Sequence, residues 1–214
     1  MNEALDVFWQ TVRDWWNSAV GLVSLNVLWL VVSLTVVLLP PATAGVYGVT
    51  HSIAQGTGQR TSDFVETARR YFGLSWVWAL ANLLVTAIIY ADVAFYATSG
   101  GGFGLVMQWL LIVLGLFWTA MQVYFWPFLL VQERKNPFLA WKNAAYLSLG
   151  APVYTLIIAF AAGAIVVISG LLIIPLALFS LSFVSLLGNR AVLERLTAYG
   201  KLSGLAQSPG DDSP

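Results

Sequence analysis

The chain has 214 residues, 59% of them hydrophobic and 9% charged, with no cysteine and a formal net charge of zero. Its mean hydropathy is +0.79. A soluble domain carries roughly a quarter charged residues, so this composition excludes an ordinary soluble fold. The missing cysteine excludes disulfide and thiol chemistry. The absence of net positive charge gives no reason to expect nucleic acid as a partner.

Residues 1–19 come first. Leu5, Phe8, Trp9, Val12, Trp15, Trp16 and Ala19 recur at three- and four-residue steps, with Glu3, Asp6, Gln10, Arg13, Asp14 and Asn17 between them. This pattern predicts an amphipathic helix lying in the membrane interface, with its indole rings at headgroup depth. Residues 20–39 carry no charge and lead to Pro40-Pro41. Twenty helical residues cover about 30 Å, the thickness of the bilayer hydrocarbon, so a first span is expected here, ending at the prolines. Ala42-Thr43-Ala44 has the look of a signal-peptidase site. The apolar run is too long for a signal peptide, however, and begins only after an acidic N-terminal segment, so an uncleaved span is expected.

Further apolar segments lie at 74–97, 103–131 and 151–187. The last is too long for one helix and is divided at Gly170 into 151–169 and 171–187. Segment 42–56 is short, and His51 is its only ionisable group. The fold class expected is therefore all-α: a polytopic helical bundle of five to six spans over 20–187, with amphipathic helices between hairpins. A cytoplasmic amphipathic helix over 188–206 and a disordered tail over 207–214 complete it. Asp63 and Glu66 are spaced to cap one interfacial helix, and Asn136-Pro137 to open another. Small residues suited to close helix contact include Gly45, Gly48, Ala159, Ala162, Gly163 and Ala164.

Charge sets the orientation, because Lys and Arg are enriched on cytoplasmic loops. If 42–56 crosses, all ten Lys and Arg fall on one side, and both termini are cytoplasmic; if it does not, nine face one and the N-terminus is outside. A faint repeat relates Phe8-x-x-Thr11-x-Arg13-x-Trp15-Trp16 to Phe64-x-x-Thr67-x-Arg69-x-Tyr71-Phe72, with Asn26 and Asn82 at the same offset. It suggests three units, each an interfacial helix followed by a transmembrane hairpin, against the alternative of chance similarity between aromatic-rich segments.

Leu25-Asn26-Val27-Leu28-Trp29, then Pro40-Pro41-Ala42-Thr43-Ala44-Gly45-Val46-Tyr47, then Asp63-Phe64 and Arg69-Arg70-Tyr71-Phe72 resemble the YesL-like family of bacterial membrane proteins. The resemblance covers about the first ninety residues. It implies a multi-pass protein of the bacterial cell membrane, of unknown function, with an accessory role near carbohydrate uptake. It supplies no catalytic residues.

No nucleophile elbow, zinc-protease helix or P-loop is present, and the Gly100-Gly101-Gly102-Phe103-Gly104 run lacks the lysine a P-loop requires. One histidine without cysteine makes no metal cluster, and no cofactor is implied. The polar residues of the spans are the candidate sites: Asn26, His51, Asn82, Asp92, Gln108 and Gln122. Each has an inter-helix bonding role open to it, and together they offer a polar path. Two functions follow as expectations. The first is a non-enzymatic accessory or structural subunit, its partners the lipid bilayer and either another membrane protein or a second copy. The alternative is a small transporter or channel for a neutral solute.

Overall fold

The structure, a computed structural model, describes residues 2–58, 61–98, 101–172 and 176–200. Among these residues the secondary structure is helical throughout, without strands. The helices are α1 (Asn2–Asn17), α2 (Ala19–Ser33), α3 (Leu39–Ala54), α4 (Thr61–Arg70), α5 (Phe72–Thr98), α6 (Gly101–Val131), α7 (Pro137–Gly150), α8 (Pro152–Leu172) and α9 (Leu181–Ala198). A short 3-10 turn, Val36–Leu38, precedes α3, and a π-helical turn, Leu176–Ser180, precedes α9. A short helix followed by two further helices recurs three times along the chain.

Among the described residues, four segments are long and apolar enough to cross a membrane: Val36–Ala54, Phe72–Thr98, Gly101–Val131 and Pro152–Leu172. The bent pair Glu3–Asn17 and Ala19–Ser33, at 87°, brings the number to five if counted as one span. The sixth expected segment, 171–187, includes residues outside the described ones. So do Arg60, Lys201 and the tail expected over 207–214.

Three boundaries differ from the sequence expectation. The first span does not run from 20 to 39. Helix α2 stops at Ser33, and the extended backbone of Thr35 (φ −87°, ψ 102°) turns the chain. At 15 residues α2 rises only about 22 Å. The prolines do not end a helix. They occupy the first turn of α3, where the missing N–H costs nothing. Segment 42–56 is consequently part of the most enclosed helix in the bundle, with every residue from Pro40 to Thr50 buried. Gly170 does not break a helix either: α8 continues through it to Leu172. Finally, the expected boundary at 187/188 falls inside one helix. Helix α9 runs unbroken across residue 188, with Phe183, Leu186, Leu187, Ala191 and Val192 buried.

Helix α1 packs against α9 and α8. Its inward face is Ala4, Val7 and Thr11, all buried, rather than the whole apolar set expected. Trp15 turns inward as well, its Nε1 donating to Ser182 Oγ at 3.0 Å and its ring 4.7 Å from Phe179. Trp16, by contrast, is 76% exposed and packs on nothing in the bundle core. Two ion pairs tie α1 to α9, Arg190 with Asp14 and Arg195 with Glu3.

Close approach explains the α3–α4 contact. A Cβ added at Gly45 would lie 2.7 Å from the Phe64 ring, and one at Gly48 only 2.3 Å from Thr67 Oγ1. Gly163 differs from this expected role, because nothing lies within 4 Å of its notional Cβ. Asp63 does not form a capping box with Glu66. Asp63 accepts from Ser52 Oγ at 3.2 Å, fastening α4 to α3, and Glu66 pairs with Arg70 at 3.0 Å. Asn136 does cap α7, its Oδ1 accepting from Phe138 N at 2.9 Å and Leu139 N at 3.3 Å. Just before it, Lys135 Nζ donates to the Leu130 carbonyl at 2.7 Å, meeting one orphan acceptor at the end of α6. Burial and then the nearby Arg70 charge hold the Lys135 pKa below the ordinary lysine value.

Candidate functional site: two polar clamps inside the bundle

Helix α9 is the axis of the first clamp. Ser182, Ser185 and Asn189 stand three and four residues apart, so they share one helix face. All three are fully buried, and so are Asn26 of α2 and Thr50 of α3 opposite them. Inside a membrane protein such groups must satisfy one another.

Asn26 does this for the start of α9. Its Nδ2 donates to Leu178 O at 3.0 Å and to Ser182 Oγ at 2.7 Å. Its Oδ1 accepts from Ser182 N at 3.1 Å. A helix start leaves N–H groups unpaired, and the π-helical turn before it disturbs the regular carbonyl pairing. Asn26 thus caps a helix that lies 156 residues away in sequence. The turn is held from the other side too, because Ser180 Oγ donates to Ser169 Oγ of α8.

One to two turns further along, Asn189 Nδ2 faces three acceptors: Tyr47 O at 3.2 Å, Thr50 Oγ1 at 3.1 Å and Ser185 O at 3.0 Å. Its Oδ1 is therefore left toward His51, 2.9 Å from Nδ1. This arrangement puts the proton of neutral His51 on Nδ1, donating to Asn189. The serine hydroxyls face backbone carbonyls, Ser182 Oγ to Phe179 O at 3.1 Å and Ser185 Oγ to Ser182 O at 3.0 Å. The geometry suits a helix clamp. Activating a serine would require His51 on a hydroxyl, and its partner here is an amide.

The second clamp joins α5, α6 and α7. Gln122 Oε1 accepts from Trp78 Nε1 at 3.1 Å and Asn82 Nδ2 at 3.3 Å. Trp118 Nε1 donates to Asn82 Oδ1 at 3.0 Å. Trp141 stacks in the same aromatic cluster, its ring 4.8 Å from Phe125. Two amides thereby satisfy indole N–H groups that would otherwise be stranded among apolar side chains.

The six candidates therefore separate. Asn26 and His51 belong to the first clamp, and Asn82 and Gln122 to the second. Asp92 and Gln108 belong to neither, each half-buried on the outer part of the α5–α6 hairpin. Sequence reasoning missed Ser182, Ser185 and Asn189. The signal that carries them is their shared helical face, which the expected boundary at 187/188 cut in two. Among the described residues, no group of three His, Asp or Glu is placed to hold a metal ion.

Residues 22–93 match the family profile described as "Protein of unknown function, DUF624". The matched stretch runs from α2 into α5. It holds Asn26, His51, Asn82, Asp92 and the close-contact glycines Gly45 and Gly48, while the α9 partners lie beyond it. No curated protein and no solved structure matches the chain.

Proposed function

We propose that the protein is a non-enzymatic accessory or structural subunit of a membrane complex, with its N-terminal part a YesL-like domain. The supporting observation is where its polar and apolar groups are spent. The amides and hydroxyls of the two clamps bond one another and lock the bundle. The α5–α6 hairpin meanwhile leaves a broad apolar surface outside it, with Leu83, Leu84, Val113 and Leu116 each more than half exposed. Only 6% of the apolar window in each of these two helices is buried. Helix α5 packs chiefly on α3 and α6, so its remaining face is available to a neighbouring membrane helix. The resemblance adds a link to carbohydrate uptake.

The test places a photo-crosslinking residue at Leu84 or Leu116, with one at Phe160 of α8 as the comparison. The hairpin positions are expected to capture the same membrane protein that co-purifies in mild detergent, and the Phe160 position is not. A chain that purifies alone, crosslinks only to lipid and by itself carries a neutral solute into liposomes would support the transporter reading instead.

The orientation proposed has both termini in the cytoplasm, which gathers all ten Lys and Arg on one side if residues 42–56 cross the membrane. The chain lacks cysteine, so single cysteines report cleanly. In intact cells Ser99→Cys is expected to react with an impermeant maleimide and Asn2→Cys to stay unlabelled until the cells are opened. Labelling of Asn2→Cys from outside would reverse the assignment of the first crossing.

A further inference from the structure

A cavity of about 510 Å³ opens between the end of α6, helix α7 and the last turns of α9. That volume suits a headgroup with a few attached carbons. Phe128, Leu147 and Leu196 form its apolar wall, and Gln132, Asn143 and Arg195 its polar one. None of them belongs to either clamp.

Arg195 dominates the electrostatics, since a guanidinium stays charged at any ordinary pH. It is held in place. Nη2 is 2.9 Å from Glu3 Oε2, and its guanidinium carbon lies 3.9 Å from the centre of the Tyr154 ring. Its Nε is enclosed and has no acceptor, and neither has Gln132 Nε2 in the same wall. Both atoms are closed to solvent, so the charge that the cavity offers is that of the guanidinium as a whole. Lys142 is not in the lining itself, but its ammonium lies 5.6 Å above the ring of Tyr146, which is. The acidic groups nearby are engaged. Glu194 accepts from the Tyr154 hydroxyl at 2.7 Å, and Glu3, 62% exposed, pairs with Arg195 through a contact that water screens.

We propose that this cavity binds an anionic amphiphile, with a phosphate oxygen against Arg195 and Gln132 and its carbon chain along Phe128, Leu147 and Leu196. The phosphate comes either from an anionic phospholipid of the surrounding leaflet or from a water-soluble organic phosphate. The proposal is independent of the accessory role, which rests on the exposed α5–α6 surface rather than on these lining residues.

The test is native mass spectrometry of the full chain in detergent, titrated with short-chain phosphatidylglycerol, phosphatidylcholine and glycerol 3-phosphate. Phosphatidylglycerol is expected to bind about tenfold more tightly than phosphatidylcholine, as a charge-assisted contact predicts. Arg195→Gln should abolish that preference. Because Arg195 also holds Glu3 and Tyr154, a second variant is needed. Asn143→Trp fills the cavity and leaves those contacts in place, and it should remove binding while the protein elutes as a folded species. Binding of glycerol 3-phosphate as tight as that of the lipid would support the anion site and make its source soluble; lipid binding alone would place the source in the membrane. Equal binding of the two lipids without glycerol 3-phosphate binding, or an Asn143→Trp protein that binds phosphatidylglycerol as the parent does, would overturn the proposal.

Discussion

Gly188→Ala is expected to destabilise the protein by about 1–3 kcal/mol, and Gly188→Leu to prevent the folded form from accumulating. A Cβ at Gly188 would lie 2.4 Å from the Val123 carbonyl oxygen and 3.3 Å from Val123 Cγ1. The obstacle is backbone, so no side-chain rotation relieves it. Its origin is in the sequence of α6. Pro127 sits inside that helix and has no N–H to give to Val123 four residues back. The carbonyl loses its usual partner, and α9 passes directly over it at its one residue without a side chain. The proper comparison is Gly163→Ala on α8, where nothing lies within 4 Å and the better helix propensity of alanine applies. Thermal unfolding in detergent, followed by size exclusion, should separate the two variants by several degrees. Equal melting temperatures would show that α6 and α9 have room to part.

Hydropathy located the long helices because a lipid-facing helix is written almost entirely in apolar residues. The apolar segments at 74–97, 103–131 and 151–169 lie within or one residue outside α5, α6 and α8. The Asn136-Pro137 start of α7 was legible for a different reason, since both residues act through local geometry. What hydropathy could not show is a reversal made without a charged residue, proline or glycine. The turn after Ser33 uses leucine, threonine and valine, and its neighbours on both sides are equally apolar. The prolines drew the boundary six residues too late because proline at a helix start and proline after a helix end look alike in sequence. Gly170 misled in the opposite way. A glycine interrupts a helix when water can compete for its backbone, and within lipid that competition is absent. As for α9, its charged residues Arg190, Glu194 and Arg195 gave it the look of a surface helix, although its opposite face is the centre of the bundle.

The candidate site was legible one partner at a time. Asn26, His51, Asn82 and Gln122 stood out as polar residues in apolar runs. Ser182, Ser185 and Asn189 on α9 did not, because the expected boundary at 187/188 put the serines in one element and the asparagine, beside Arg190, in another. Asn26 and Asn82 also show that matched positions in a sequence repeat need not do matched work. Asn82 is half-buried and bonds mainly side chains and its own helix, whereas Asn26 is fully buried and holds backbone groups of a distant helix.

That difference sets the last expectation. Asn26→Leu keeps the approximate size of the side chain but removes the acceptor for Ser182 N and the donors for Leu178 O and Ser182 Oγ. The Ser182 N–H is then left buried and the Leu178 carbonyl part-buried without these partners, each costing up to about 1–3 kcal/mol. The expected loss is about 2–4 kcal/mol, allowing for partial compensation between neighbours. Asn82→Leu strands one indole N–H, on Trp118, in a partly open setting, and should cost nearer 1 kcal/mol. Asn26→Asp tests the capping role itself. Taken up as the protonated acid, the Asn26→Asp side chain still accepts from Ser182 N but has one O–H donor for Leu178 O and Ser182 Oγ where the amide has two N–H donors, so its stability should fall between the parent and Asn26→Leu. Hydrogen exchange at the Ser182 amide gives the local readout, and it should speed up in Asn26→Leu and stay slow in Asn82→Leu. If both leucine variants unfold at the same temperature and the Ser182 amide stays protected in each, then Asn26 does not cap α9, and the start of that helix is held by the Ser169–Ser180 contact and by packing alone.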